Sequence, residues 1–233
     1  MADKETIFLT IDQAVTAVCI DFQQYDPQIL LFCEIMRLIS AGTTVMCGDT
    51  QKNGAWISTA GRTKMRWLDG PDLARHMCRT LAATQWTPDL LAAVCMRVFQ
   101  TRALAAADPH SGLMGILIQT GMESFVCRQC GRCCRSLDYH DQVTAEDMAA
   151  WRASQETEIL DWVGVFKGQD GREVFRIWVR PGTTQLAENC PFLHKLSTEN
   201  RWVCRIHSAK PAICRNYPVS RKHARMTGCP GFK

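Results

Sequence analysis

The chain has 233 residues, of which 46% are hydrophobic, so it can bury one large core or two small ones. Its formal net charge of +4 is too small to indicate a nucleic-acid-binding protein by itself. The first residues lack the basic and apolar segments of a signal peptide, and no apolar run approaches the ~20 residues of a membrane span. We therefore expect a cytoplasmic protein with no membrane partner, in which cysteines stay reduced.

The first half of the chain predicts helices around a small β-hairpin. Thr10 and Gln13 have the spacing of a capping box, and Asp26-Pro27 is a typical helix start. Asn53-Gly54 is a hairpin turn signal between two short β-like runs. Apolar periodicity predicts helices at residues 10–23, 26–39, 71–83 and 88–106, and strands at 43–47 and 55–59.

Residues 105–112, which are rich in alanine and turn formers, predict a linker between two domains. We expect a mostly helical region of unknown role at residues 1–121 and a metal-binding domain at 122–233. The basic residues Arg62, Lys64 and Arg66 are interpreted as a solvated loop. Five of the thirteen cysteines are scattered through the first half at no ligand-like spacing: Cys19, Cys33, Cys47, Cys78 and Cys95. Of these, Cys19, Cys78 and Cys95 lie on apolar helix faces and are expected to be buried core residues.

The second half of the chain is organised around four cysteines within eight positions. The run Cys127-Arg-Gln-Cys130-Gly-Arg-Cys133-Cys134 contains two overlapping C-x-x-C steps and ends in a vicinal pair. A C-x-x-C step lets two thiolates converge on one metal, and Gly131 suits the tight turn between them. Thiolates are soft ligands that select zinc, copper(I) or iron–sulfur clusters.

Short elements and four further cysteines follow this cluster. Thr144 and Asp147 predict a capped helix over 144–154, a short helix is expected at 157–162, and strands at 163–166 and 173–179 flank Asp170-Gly171. Proline or a turn-forming context lies near each later cysteine, which favours rigid ligand loops over a regular helix. These are Cys190, Cys204, Cys214 and Cys229.

The order and flanking residues of these eight cysteines resemble the CxxCxxCC cysteine-cluster family (YkgJ-type), described as zinc- or iron-chelating. The resemblance covers about residues 125–230 and includes Cys190-Pro-Phe-Leu, Cys204-x-Ile, Pro-x-x-Cys214-Arg-x-Tyr-Pro and Cys229-Pro. It implies a metal or iron–sulfur site held by these cysteines. His207 and Lys210 depart from the family pattern, which usually has tyrosine and arginine there. A relative with a similar cluster, flagellin lysine N-methylase, points to protein methylation, but this chain shows no glycine-rich nucleotide loop.

The eight cysteines fit two four-thiolate sites, or one such site with extra cysteines. Because vicinal side chains tend to diverge, we expect Cys133 to share a site with Cys127, Cys130 and a later cysteine. Cys134 would then join the remaining later cysteines. From Arg201 onward there are eight Lys and Arg and no Asp or Glu. Partly buried arginines that tune the thiolates are favoured over an exposed surface for RNA or phosphate.

We expect an α-rich α+β fold in which a loop-rich domain holds an iron–sulfur centre, most simply a 4Fe-4S cluster. The expected function is electron transfer or redox chemistry on a protein partner, with nucleic acid a less favoured partner. One alternative is a structural zinc module for protein or RNA binding. Another is a methylase-like enzyme. His207 is the histidine considered as a further ligand, because it follows Cys204 by three residues.

Overall fold

The fold of the protein is described by a computed structural model. It describes residues 5–25, 28–40, 44–47, 53–58, 64–136, 140–141, 143–168, 171–197 and 201–232. The predicted helix start at Asp26-Pro27 and the basic residue Arg62 lie outside these residues, as does Asp170 of the predicted turn. The chain separates into two compact units, Met1–Glu123 and Ser124–Lys233. The roles assigned to the two parts of the chain remain predictions.

The structure is an α-rich α+β fold, as predicted, with small antiparallel sheets beside the helices. In the first unit the helices are α1 (Ile11–Gln24), α2 (Ile29–Ile39), α3 (Gly70–Ala83) and α4 (Pro88–Phe99). The strands are β1 (Thr6–Thr10), β2 (Thr44–Cys47), β3 (Gly54–Ser58), β4 (Arg66–Asp69), β5 (Ala103–Ala107) and β6 (Met114–Gln119).

The start of α1 forms as the sequence predicts. The Gln13 backbone N–H donates to Thr10 Oγ1 at 3.3 Å, and the Thr10 N–H donates to Gln13 Oε1 at 3.0 Å. These two bonds satisfy backbone donors that the first helical turn leaves without partners. Thr87 caps α4 in the same way, accepting from the Leu90 N–H at 3.2 Å.

The segment predicted to be a linker, residues 105–112, is instead the end of β5 and the turn that joins it to β6 in a three-stranded sheet. β5 pairs antiparallel with β6, which pairs antiparallel with β1. Helix α4 therefore ends at Phe99, where Gln100 adopts φ 55°, and does not continue to residue 106. The alanines of β5 have high helix propensity, but pairing with β6 overrides that preference.

A second sheet contains the predicted hairpin and one strand that the sequence did not reveal. β2 pairs with β3, and β3 pairs with β4, all antiparallel. Arg66, interpreted as part of a solvated loop, is the first residue of β4. Trp56 and Trp67 face each other across this pair, with ring centroids 5.3 Å apart in an edge-to-face arrangement.

One hydrophobic core holds the first unit together. Val18 of α1, Met77 of α3, Val94 of α4 and Ile116 of β6 all have 0% exposure. Cys95 is also fully buried, as predicted. Cys33 lies in the same core and is disulfide-bonded, so the expectation that the cysteines stay reduced is wrong for Cys33.

The second unit is built from shorter elements. Its helices are α5 (Arg132–Ser136), α6 (Ala145–Ala153), α7 (Thr157–Leu160), α8 (Ala212–Asn216) and α9 (Arg221–Met226). Its strands are β7 (Val163–Lys167), β8 (Glu173–Ile177), β9 (Leu193–Lys195) and β10 (Trp202–Cys204), paired β7 with β8 and β9 with β10. The predicted helix at 144–154 and hairpin at 163–179 are therefore present. The expectation that the later cysteines avoid helices fails for Cys214, which lies in α8.

A separate core supports these short elements. Ile159 and Ile177 are 0% exposed, and Phe192 is 1% exposed. Trp178 packs edge-to-face on Phe192, with ring centroids 5.2 Å apart. The Trp151 indole N–H donates to the Ala209 carbonyl at 2.8 Å, which ties α6 to the segment before α8. This core lies directly under the cysteine-bearing loops.

Ile116 and Leu104 test the pairing of β5 with β6. Replacing the fully buried Ile116 with alanine should lower the free energy of unfolding by about 2–5 kcal/mol, because it leaves a cavity in the core. The same change at Leu104, which is 46% exposed on β5, should cost less than about 1 kcal/mol. Urea denaturation followed by circular dichroism measures both values. Equal small effects would contradict the sheet.

Candidate metal centre

The C-x-x-C turn is shaped by two residues with left-handed backbone conformations. Gln129 has φ 51° and Gly131 has φ 68°. A Cβ on Gly131 would lie 2.7 Å from the Trp202 ring, so glycine allows both the turn and the close packing of the indole. The Trp202 N–H donates to the Gln129 carbonyl at 2.7 Å. The first cysteine run is thereby fixed to β10, which ends at Cys204.

Cys133 and Cys134 lie side by side on α5. Their Sγ atoms are 3.8 Å apart. Two thiolates bound to one tetrahedral zinc at about 2.3 Å each would be separated by about 3.8 Å. The expectation that the vicinal side chains diverge is therefore wrong, and the two sulfurs are close enough to bind the same ion.

Backbone hydrogen bonds bring two later cysteines to this pair. The Cys190 N–H donates to the Cys134 carbonyl at 3.0 Å. The Arg205 N–H donates to the Phe192 carbonyl at 2.9 Å, which holds the segment after Cys190 against the end of β10. Cys204 is the last residue of β10 and pairs with Leu193 of β9, so the β9–β10 hairpin places it near Cys190.

Cys214 is positioned by a buried carboxylate that sequence reasoning assigned only to a helix cap. Asp147, 1% exposed, forms the capping box of α6 with Thr144, as predicted. Its carboxylate also accepts from the Ala212 N–H at 2.9 Å and from Arg215 Nη2 at 3.2 Å. Arg215 Nη1 further donates to the backbone carbonyl of residue 210. Asp147 therefore fixes the start of α8, the helix that carries Cys214.

Five of the eight predicted ligands line one cavity. Its volume is about 70 Å³, which is several times the ~10–15 Å³ that one water molecule requires. His140, Lys210 and Tyr217 contribute polar groups to the wall, and Trp178 contributes an aromatic one. The cysteines that line the cavity are Cys133, Cys134, Cys190, Cys204 and Cys214.

The other three cysteines do not line this cavity. The Val126 N–H donates to the Gly231 carbonyl at 2.9 Å, which joins the segment before Cys127 to the segment after Cys229. Burial raises the pKa of Cys229, and the charge of Cys130 adds to that effect. Cys130 and Cys229 are both half-buried, whereas Cys127 is exposed. All eight thiols are free.

The pKa values of Cys133, Cys134 and Cys214 in the cavity are raised above their usual range. Hydrogen bonding to Cys134 and burial raise the pKa of Cys133. At Cys134 the bond to Cys133 lowers the pKa, but the bond to Cys190 and burial outweigh it and raise the pKa to about 12. Burial also raises the pKa of Cys214 to about 12, although the Lys210 ammonium acts in the opposite direction. A metal that binds here must displace these protons.

The arginines around the cluster are exposed, so the expectation that they lie partly buried was wrong. Arg135 donates to the Cys130 carbonyl at 3.3 Å and stacks on the Trp202 ring, 4.9 Å from its centroid. Arg201 donates to Gln129 Oε1 at 3.0 Å. Through these contacts the two arginines bind the backbone carbonyl of Cys130 and the side-chain amide of Gln129 in the first cysteine run. The exposed arginines are Arg128, Arg132, Arg135, Arg201, Arg205, Arg215, Arg221 and Arg225.

The donor set fits a thiophilic metal, although no coordination sphere is preformed. Within the described ranges, no group of three or more His, Cys, Asp or Glu side chains could hold a metal ion as it stands. What five of the cysteines share is a cavity whose wall offers soft sulfur donors. Such donors suit zinc, copper(I) and iron–sulfur clusters and not magnesium or calcium.

Two features of the site escaped sequence reasoning because burial decides them. Asp147 can accept from the start of α8 only because it is buried beneath that helix. The sequence signal that could have suggested this contact is Arg215, a basic residue directly after Cys214. His140 has no motif around it in the sequence, and its contact with Ile177 at the end of β8 places it at the cavity. His207, the histidine considered as a ligand, is exposed and is not among the residues described as lining the cavity.

Replacing Asp147 with alanine should destabilise the second unit by about 1–3 kcal/mol, because the half-buried Ala212 N–H and Arg215 Nη2 lose their buried acceptor. The matched control is Glu158→Ala. Glu158 pairs with Arg205 at 2.6 Å, but its side chain is 61% exposed, so the expected loss is below about 1 kcal/mol. Thermal and urea unfolding of the two variants measure the difference. Equal losses would contradict the anchoring role of Asp147.

Comparison with known proteins is consistent with this geometry. Residues 126–230 match the model of the CxxCxxCC family, described as a "putative zinc- or iron-chelating domain". No curated protein and no solved structure matched the chain. In the part of the chain that the structure describes, no helix is long and apolar enough to cross a lipid bilayer. The second unit is therefore similar to the CxxCxxCC family over these residues, and that similarity supports metal binding.

Proposed function

We propose that the second unit holds an iron–sulfur centre through its clustered cysteines. The observation that carries this proposal is the convergence of five cysteines from four separate segments on one cavity. A single structural zinc ion binds four ligands directly, at about 2.0–2.3 Å, and leaves no open cavity between them. A cavity of about 70 Å³ lined by sulfur is better suited to a cluster that contains several metal ions and bridging sulfides.

We further propose that the eight cysteines form two adjacent sets. Cys190 and Cys214 both act electrostatically on Cys134, which supports one set of Cys134, Cys190, Cys204 and Cys214. Cys229 is influenced by both Cys130 and Cys133, which supports the second set, although the charge of Cys133 also acts on Cys204 and Cys214. That set contains Cys127, Cys130, Cys133 and Cys229. The short distance between the Cys133 and Cys134 sulfurs would place the two centres next to each other.

The proposed role is electron transfer, or redox chemistry, on a protein partner. When bound, a cluster of this kind accepts and donates single electrons. Lys210 lines the cavity and would offset part of the negative charge of the thiolates. Cys127 is exposed, which offers a short path between the second set and a docked partner. We propose a reducing, cytoplasmic location. The eight free thiols of the second unit support it, whereas the disulfide at Cys33 argues against it.

A structural zinc module is the second candidate, and the exposed arginines favour it. Basic groups that face solvent can contact phosphate, whereas buried ones cannot. From Arg201 onward the chain contains no Asp or Glu, and only Arg205 and Arg215 of this segment have an ion pair described above, with Glu158 and Asp147. In this case zinc would fix the short elements of the second unit, and the exposed face would bind RNA or an acidic protein. The methylase-like alternative has no comparable observation in its favour.

The metal content of anaerobically purified protein tests the leading proposal. We expect brown protein that absorbs near 400 nm and contains iron and acid-labile sulfide in matching amounts. Cys214→Ser and Cys127→Ser should each remove about half of the iron, because each variant disables one of two sets. The control is Cys78→Ser, which changes a half-buried free thiol of the first unit and should leave the iron content unchanged.

The outcomes of this experiment separate the proposals. Colourless wild-type protein with about two zinc ions per chain would overturn the iron–sulfur proposal and support the zinc module. If Cys214→Ser removes all the iron and Cys127→Ser removes none, the centre is single and lies in the cavity. No bound metal in freshly purified protein or after anaerobic reconstitution would overturn both candidates.

A further inference from the structure

Basic side chains surround one tryptophan beside the first cysteine run. The Arg135 guanidinium carbon lies over the Trp202 ring, 4.9 Å from its centroid, and the Lys195 ammonium lies over the same ring at 5.9 Å. Lys195 is opposite Trp202 across the β9–β10 hairpin. Arg128 precedes Gln129, whose carbonyl accepts from the Trp202 N–H at 2.7 Å, and all three basic residues are exposed. We call the surface made of Arg128, Arg135, Lys195 and Trp202 the Trp202 face.

The positive charge of this face has no acidic counterpart within it. In the part of the chain that the structure describes, none of its three basic side chains forms an ion pair. The segments that build the face contain no Asp or Glu; they are residues 124–136, 190–196 and 201–233. Like charges held close together repel one another, so a surface of this kind is stabilised when a partner supplies negative charge.

The contacts beneath the face hold it in place. A Cβ on Gly131 would lie 2.7 Å from the Trp202 ring, so the indole packs directly on the turn of the cysteine run. Arg135 also donates to the Cys130 carbonyl at 3.3 Å, so its guanidinium is fixed both by the ring and by the backbone. An ordered guanidinium loses less side-chain freedom when it binds a carboxylate, which favours binding at this position.

The covered indole ring favours a protein partner over single-stranded nucleic acid. Proteins that bind single strands stack the bases on aromatic rings that are open to solvent. Trp202 is half-buried, and the cations of Arg135 and Lys195 lie over the ring surface that a base would need. Exposed arginine and lysine side chains can instead bind the carboxylates of an acidic protein, without any stacking.

We propose that an acidic protein, a carrier of single electrons, docks on the Trp202 face and exchanges electrons with the centre through Cys127. This inference rests on the proposed function, because it requires a redox-active centre in the second set of cysteines. Cys127 is exposed and directly precedes Arg128, so the face lies at the exposed end of that set. One electron passes between partner and centre, which oxidises the donor and reduces the acceptor, and no covalent bond forms or breaks. Opposite charges on the two surfaces speed their encounter, and salt slows it.

Binding of a fluorescein-labelled polyglutamate peptide tests the face in the full chain as purified, by fluorescence anisotropy at about 0.1 M salt. Arg128→Glu combined with Lys195→Glu should weaken binding by about three- to thirtyfold, because two exposed attractions become repulsions. The matched control combines Arg152→Glu with Arg180→Glu, two exposed arginines of the second unit outside the segments that build the face. It changes the net charge equally and should weaken binding by less than about twofold, since salt screens distant charges.

Two small oxidants of opposite charge test electron exchange: the cobalt(III) complex of EDTA, an anion, and hexaamminecobalt(III), a cation. Each takes one electron from the reduced, iron-loaded protein, whose centre is oxidised while cobalt(III) becomes cobalt(II). Reversing the charges of Arg128 and Lys195 should slow oxidation by the anion about three- to tenfold and should not slow oxidation by the cation. The control variant should keep both rates within about twofold of those of wild-type protein.

The outcomes separate the docking surface from the proposed function. Equal losses of peptide binding in the two double variants would overturn the Trp202 face as a docking site. Oligouridine RNA that binds more tightly than the peptide, with the same dependence on Arg128 and Lys195, would overturn the protein partner in favour of nucleic acid. Unchanged rates with the anionic oxidant would overturn the electron path through this face and leave the iron–sulfur proposal intact.

Protein that takes up no iron would overturn the proposed function and the electron path, whereas peptide binding would still decide whether the face is a docking site. If the charge-reversed variant does not fold, Arg128→Gln combined with Lys195→Gln provides the same comparison, against Arg152→Gln combined with Arg180→Gln.

Discussion

The cysteine cavity depends on one buried carboxylate. Asp147 belongs to the first turn of α6, yet its oxygens accept hydrogen bonds from the start of α8 and from Arg215. The helix that carries Cys214 has only five residues, which is too short to be stable without tertiary contacts. Its position is therefore set by the carboxylate and by the core beneath it.

Burial and mutual repulsion both disfavour ionised thiolates in the cavity. Thiols in a half-buried wall retain their protons, and several thiolates close together would repel one another. A bound metal relieves both constraints because it replaces the protons and its positive charge offsets the thiolates. The same group of cysteines is thus unfavourable as bare thiolates and favourable as a ligand set. The core of Ile159, Ile177 and Phe192 packs against Cys190 and Cys204 of this wall.

Local signals predicted much of the fold and much less of the site. The capping boxes at Thr10 and Thr144 predicted helix starts correctly, because a cap is decided by residues three positions apart. The alanines of β5 led to a wrong prediction, a helix that continues to residue 106, because strand formation there depends on pairing with β6. The cysteine motifs predicted which residues gather. The sulfur contact between Cys133 and Cys134, the exposure of the arginines and the place of His140 all depend on packing between distant segments, which spacing does not encode.

The cavity draws its cysteines from residues 133 to 214, and this separation along the chain has a consequence for how the protein is made. On the ribosome, the C-x-x-C run leaves the exit tunnel well before Cys204 and Cys214 are synthesised. Until then Cys133 and Cys134 lack the partners that enclose them, and their thiols are open to oxidation or to capture by other metals. Biogenesis of the domain thus includes a vulnerable interval, during which cellular reductants and chaperones would protect the nascent cysteines.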